Sequence, residues 1–109
     1  MHFIGLKSCD TCRRALKDIR AAGIEPTVKD VRADGLSSDD ITALIAAFGD
    51  KAINRASTTW RGLSDDEKAQ APDALLAAHP TLLKRPAIFH NGTWTIGWKP
   101  DTAAQVLGS

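Results

Sequence analysis

Cysteine and histidine are scarce in this chain: two cysteines and three histidines among 109 residues. The histidines, His2, His79 and His90, stand far apart and at no metal-ligand spacing, so no metal centre is expected. No apolar run is long enough to cross a bilayer, and a membrane role is not expected. No sign of charge dominates: fourteen Lys and Arg face thirteen Asp and Glu, a net +1. Such a balance sets up no global field for nucleic acid or a membrane surface. The N-terminus lacks the basic, long apolar and cleavage regions of a secretory signal, so a cytoplasmic setting is expected. There is no internal repeat and no low-complexity tract. What remains is ordinary for a globular protein, 43% hydrophobic and 25% charged. Residues 1–109 are read as one domain with one modest core, expected to be monomeric.

Both cysteines fall in one stretch, Lys7-Ser8-Cys9-Asp10-Thr11-Cys12-Arg13-Arg14. The short apolar segment before it, 2–7, reads as a buried strand. The segment after it, 10–22, repeats apolar residues at helical spacing through Ala15, Leu16, Ile19 and Ala22, with Gly23 as the stop. The Cys-x-x-Cys therefore lies where a strand turns into a helix. The first amides of a helix have no intrahelical partner and favour an anion, a thiolate included. Lys7, Arg13 and Arg14 add positive charge nearby. Cys9, at the very start, is the expected low-pKa nucleophile. Cys12 lies one turn on, at a spacing from which a disulfide is within reach of small adjustments. Three other readings compete with redox chemistry. Half of a zinc site lacks two further ligands. Two inert buried thiols are a common use of free cysteine. A structural disulfide here would close a tiny loop and stabilise little. In a reducing compartment a pair of this kind is catalytic or sensing.

The rest of the chain reads as follows. Residues 27–31 alternate after Pro26 and make a second strand, and Asp34-Gly35 makes a turn. Ser37 or Ser38 caps a helix over 39–48, with Ile41, Leu44, Ile45 and Phe48 on one face and Gly49 at its end. Residues 52–63 follow neither period. They gather Asn54, Arg55, Arg61 and three hydroxyls around Trp60, which suits a solvated loop or an anion-binding surface equally. Ser64 and Glu67 form a capping box, and Pro72 opens a further helix with Leu75 and Leu76 inward. Residues 87–90 and 93–98 flank Asn91-Gly92 as a β-hairpin. Pro86, at the head of the first of these strands, fits an edge or a cis bond. A last helix covers 101–107.

These pieces, in this order, resemble the thioredoxin/glutaredoxin fold: an α/β domain of βαβ and ββα halves with an all-helical insert at about 38–80 between them. More closely, the chain resembles the ArsC/Spx arsenate-reductase-like family and its small YffB-like branch. The resemblance is carried by Gly5-Leu6-Lys7-Ser8-Cys9-Asp10-Thr11, by Asp30-Val31-Arg32-Ala33-Asp34-Gly35-Leu36 and by Asn54-Arg55 with Thr58-Thr59-Trp60-Arg61-Gly62-Leu63. It continues in Lys84-Arg85-Pro86 and Ile96-Gly97-Trp98-Lys99-Pro100-Asp101. The resemblance implies that Cys9 is the catalytic cysteine and that Pro86 is the proline, usually cis, beside it. It implies that Arg55 and Arg85 match two of the three arginines that hold oxyanion in the arsenate reductases. The third has no match, and Trp98-Lys99 stands in its region, with Lys99 as the available cation. Cys12 matches the Spx-like second cysteine. A separate reductase and phosphatase class with a Cys-x5-Arg loop is excluded, because the sixth residue after Cys9 is Ala15.

The expected function is a cytosolic thiol-dependent reductase. Cys9 attacks a disulfide, a glutathione mixed disulfide or an oxyanion, and Cys12 or glutathione resolves the adduct. Arg85 and Arg55, with Pro86 and Lys99, form the expected anion-binding set. No bound cofactor is expected. Glutathione is the expected thiol co-substrate, or a glutaredoxin or thioredoxin system the expected partner. The alternatives are an Spx-like redox switch that binds RNA polymerase, and a true glutathione-dependent arsenate reductase.

Overall fold

The computed structural model describes residues 1–108. Two compact units divide the chain: Met1–Val31 together with the residues from Arg85 onward, and Arg32–Lys84.

The first unit is a four-stranded sheet with two helices. Its strands are β1 (His2–Gly5), β2 (Thr27–Asp30), β3 (Ala87–His90) and β4 (Thr93–Ile96), in spatial order β2-β1-β3-β4. β1 runs parallel to β2, with Phe3 opposite Val28, and antiparallel to β3, with Phe3 opposite Ile88. β3 and β4 close the hairpin across Asn91 and Gly92, both at positive φ, the geometry an Asn-Gly turn requires. Helix α1 (Asp10–Ala21) crosses between β1 and β2, as a parallel pair demands. Its buried stripe is Cys12, Ala15 and Ile19, which packs with Phe3, Ile88 and Val106 into one cluster. The pattern differs from the expected one at its ends: Cys12 joins the stripe and Ala22 is an exposed cap. β1 ends at Gly5 and not at residue 7, because the Lys7 amide leaves the sheet to donate to Asp30 Oδ2 at 2.9 Å.

The second unit carries helices α2 (Ser38–Phe48), α3 (Thr58–Arg61), α4 (Asp65–Lys68) and α5 (Pro72–Ala78). Short 3-10 turns cover Gly49–Ala52 and Pro80–Leu82. α2 is capped by Ser37, whose Oγ accepts from the Asp40 amide at 3.1 Å. The expected capping box opens α4: Ser64 Oγ accepts from Glu67 N, and Glu67 Oε1 accepts from Ser64 N. α2 and α5 pack through Leu44, Leu75 and Leu76, all fully or nearly buried. The irregular stretch 52–63 holds a helix the sequence did not announce. Ser57 Oγ accepts from the Trp60 amide at 3.2 Å and starts the single turn of α3. Ahead of it, Ile53 bridges Leu83, with Asn54 N donating to Leu82 O at 2.7 Å and Lys84 N to Ala52 O at 2.8 Å. The last helix, α6 (Pro100–Leu107), belongs to the first unit and buries Val106.

Leu76 is 0% exposed. Leu76→Ala should cost about 2–5 kcal/mol, read as a lowered urea midpoint with an unchanged slope.

Candidate active site

Cys9 is the N-cap of α1, with extended backbone at φ −88° and ψ 120°. Its amide donates to Leu6 O at 3.0 Å, and its carbonyl accepts from Arg13 N at 3.0 Å. The turn that carries it is fixed from two sides. Asp30, 6% exposed, accepts the Lys7 amide, and the Arg13 guanidinium reaches back so that Nε donates to Lys7 O at 2.9 Å.

Both thiols are free; Cys9 is half-buried and Cys12 buried. Partial burial raises the pKa of Cys9, but the other contacts win and the thiol lies below its ordinary value. The Cys12 backbone N–H and the Cys12 thiol face its sulfur, the Arg85 charge acts on it, and the Thr11 N–H adds to these. No short cap hydrogen bond forms at the Cys9 side chain. Sulfur is a weak acceptor, and the amides act on it as the positive end of the helix. Cys12 goes the other way and is pushed up to about 12. Burial is the main cause. The Leu6 backbone contact and Arg85 oppose it, while a Cys9 anion beside it reinforces it. Of the pair, Cys9 is therefore the thiol that ionises first, and Cys12 keeps its proton beside it.

Gly5, part of the cysteine motif, has a role that the sequence did not assign. A Cβ there would stand 2.9 Å from Cys12 Sγ and 2.7 Å from Phe3 Cε1. Only glycine lets the end of β1 approach the second thiol this closely. The cue was the glycine itself, set in an apolar strand. Asp30 ends β2, and its carboxylate anchors the cysteine turn. Beside Cys12 lies a cavity of about 210 Å³, walled by Phe3, Leu6, Leu16 and Val28 and edged by Lys7 and Arg13.

The other side-chain expectations fall as follows. Arg85 is half-buried and its charge reaches both thiols. Pro86 is buried, follows a cis peptide bond, and accepts from Gly97 N at 2.9 Å. Trp98, next along, packs against the same cluster as Cys9, and its Nε1 donates to Asp18 Oδ2 on α1 at 3.0 Å. Lys99 is exposed and forms the N-cap of α6. Arg55 is an exposed residue of the second unit, with its guanidinium 5.5 Å from the Trp60 ring centre. Among the described residues no cluster of three His, Cys, Asp or Glu is placed to hold a metal.

Two outcomes are expected of the thiols. Ultraviolet thiolate absorbance should rise below pH 9 in the wild type and in Cys12→Ser, and lose that early step in Cys9→Ser. The linked stability follows from the two directions. Between the lowered pKa of Cys9 and the ordinary 9.0, the folded chain binds fewer protons at Cys9, so this contribution grows as pH rises. Between 9.0 and about 12 the folded chain holds the Cys12 proton that the unfolded chain loses, so stability falls with pH there. Urea midpoints of wild type and each serine variant across pH read both trends. Gly5→Ala should displace the Cys12 sulfur and cost about 1–3 kcal/mol from overpacking, while a Gly5→Ala, Cys12→Ala double variant should recover part of the loss.

The comparisons with known proteins bear on the family and the fold. The ArsC family model matches residues 4–106. An uncharacterised protein of Haemophilus influenzae is 39% identical over 99 residues, which span 86% of this chain and 87% of that protein. An arsenate reductase of Rhizobium meliloti is 36% identical over 87 residues, spanning 74% of this chain and 62% of that protein. Among solved structures, the YFFB protein superposes with a TM-score of 0.85 at 30% identity and covers 96% of each chain. An arsenate reductase (ArsC) related protein from Brucella melitensis superposes at 0.73 with 28% identity, over 96% of this chain and 93% of that one. With the family match running from β1 into α6 and the same thioredoxin-like fold in these relatives, the chain belongs to the ArsC family.

Proposed function

We propose that this protein is a thiol-dependent oxidoreductase with Cys9 as nucleophile and Cys12 as resolving thiol. The observation that carries the reading is the opposed pair of pKa shifts on two sulfurs in contact, one lowered and one raised. On a glutathione mixed disulfide, the Cys9 thiolate attacks the glutathione sulfur. A Cys9–glutathione disulfide forms, and the substrate sulfur leaves as a thiolate that takes up a proton. Cys12 then gives up its proton and attacks Cys9 Sγ. A Cys9–Cys12 disulfide forms and glutathione leaves. Two further glutathione thiols, or a dithiol of the glutaredoxin or thioredoxin type, reduce that disulfide and are themselves oxidised to one disulfide. Arg85, whose charge acts on the pair, holds the anionic part of the substrate, and Arg55 and Lys99 are further anion-binding residues. The protein works as a cytosolic monomer in this reading.

A second reading, arsenate reduction, is favoured by the Rhizobium meliloti relative. Against it stands the region of the missing third arginine. Trp98 is committed there to Asp18, and Lys99 offers a single flexible charge. A compact dianion needs nearly full charge compensation when it is desolvated.

Steady-state rates on a glutathione mixed disulfide and on arsenate, from one preparation, separate the two readings. Mixed-disulfide turnover should dominate. Arsenate turnover of about 1 per second or faster, the lower end of common enzyme rates, would restore the arsenate reading. Cys9→Ser should abolish either activity. Cys12→Ser should keep a part that depends on added glutathione, and no change in either variant would overturn the thiol mechanism. Arg85→Ala should lose a charge-assisted contact of about 1.5–3 kcal/mol, about tenfold or more in KM, with the fold intact by circular dichroism.

A further inference from the structure

The second unit is acidic overall, with six lysines and arginines against eight carboxylates. Its cations are not spread evenly. Lys51, Arg55 and Lys84 line one open groove of about 450 Å³, with Ala56 as its exposed apolar residue, Ile53 buried behind the surface and Asp50 as its one carboxylate. The backbone brings them there. Lys84 N donates to Ala52 O and Asn54 N to Leu82 O on either side of the Ile53–Leu83 bridge, which fixes the segments of Lys51, Arg55 and Lys84 side by side. Like charges held together by the backbone repel unless an anion joins them. Among the described residues no carboxylate pairs with Lys51, Arg55 or Lys84. Arg55 is further oriented by the face of Trp60 at 5.5 Å, so it gives up less freedom on binding. Asn54 spends its Oδ1 on the Ala56 amide at 3.1 Å, which leaves the NH2 end, a donor, as its other polar end. The groove is rich in donors and poor in acceptors.

We infer that this groove binds an acidic peptide segment, with Lys51, Arg55 and Lys84 taking side-chain or terminal carboxylates and the Ala56 methyl and the lysine stems meeting the peptide's aliphatic carbons. The size favours a peptide over a single oxyanion, which would leave most of about 450 Å³ to water. Three cations are few for a nucleic acid, whose binders make about 6–10 phosphate contacts. This goes beyond the thiol reading, with which it shares Arg55, and rests on Lys51 and Lys84, which that reading does not use; it needs no chemistry at Cys9.

The test uses the full chain carrying Cys9→Ser, labelled for amide NMR, and titrated with N-acetyl-tetraglutamate, N-acetyl-tetraglutamine and inorganic phosphate. Saturable shifts at residues 50–56 and 84 with tetraglutamate alone, weakened at least fivefold by added salt and by Lys51→Gln with Lys84→Gln, are the expected result. Equal shifts with tetraglutamine, equal shifts with phosphate, or no shifts in this segment would each overturn the proposal. Mixed-disulfide turnover by the wild type is read separately, so loss of this proposal and loss of the thiol reading are distinguishable. The paired Lys51→Glu, Lys84→Glu variant, both sites being exposed, supplies a second check: it should abolish the tetraglutamate shifts, and binding that survives the reversal would overturn the proposal as well.

Discussion

Two sulfurs in contact at the end of a buried strand cannot both carry charge, and the start of helix α1 decides which of them does. Cys9 sits at the cap, where the amides of Thr11 and Cys12 face it and where solvent reaches it in part. Cys12 sits in the first turn with its side chain turned into the core among Phe3, Ala15 and Ile88. The same three-residue spacing that puts the second thiol within reach of the first also buries it. Burial holds the Cys12 proton, and that proton favours the Cys9 anion. The asymmetry is self-reinforcing, because the Cys9 charge is itself one cause of the high Cys12 pKa. Once Cys9 is bonded to another sulfur its charge is gone, and that cause goes with it. In the proposed thiol mechanism Cys12 then becomes easier to ionise at the step that calls for its attack.

The surroundings serve to hold this arrangement. Gly5 gives Cys12 the room that any side chain would take. Asp30 accepts the Lys7 amide, so the cysteine turn starts from a fixed point on β2. On the other side of the pair the chain is tied twice. Gly97 donates to Pro86 O, and Trp98 donates to Asp18. Arg85 precedes Pro86 directly, so the first of these ties bears on the residue whose charge reaches the thiols.

The fold was legible in the sequence where local signals and the global arrangement coincide. Strand, cysteine turn and helix at 2–22, the capping box at Ser64 and the Asn-Gly hairpin are each set by a few adjacent residues. The structure keeps all of them. The single turn of α3 was not legible, since four residues carry no periodicity and Ser57 is one of three nearby hydroxyls that fit a cap equally well. At the candidate site, the lower pKa of Cys9 was legible from its helix position, while the rise at Cys12 comes mainly from burial. The roles of Gly5, Asp30 and Asp18 were not legible, because each depends on a partner brought near by the fold: Cys12, Lys7 and Trp98 lie 7, 23 and 80 residues away.

The distribution of cations bears on what such a site selects. A small tetrahedral oxyanion is best held by several planar guanidinium forks converging on one point. In the first unit Arg85 is the arginine whose charge reaches the thiols, and the Trp98 indole is already bonded to a carboxylate. Lys99 is exposed at the start of α6, where a flexible ammonium keeps most of its hydration. Arg14 lies one helical turn before Asp18, the usual spacing for an ion pair, yet Asp18 turns to Trp98 instead. That choice exchanges a surface ion pair worth little in water for a part-buried contact that fixes the β4–α6 turn. A fixed aromatic wall and a single forked cation suit a ligand that is extended and carries its charge at one end. Under the proposed thiol reading, a thiol substrate on a peptide has that form, and a bare dianion does not.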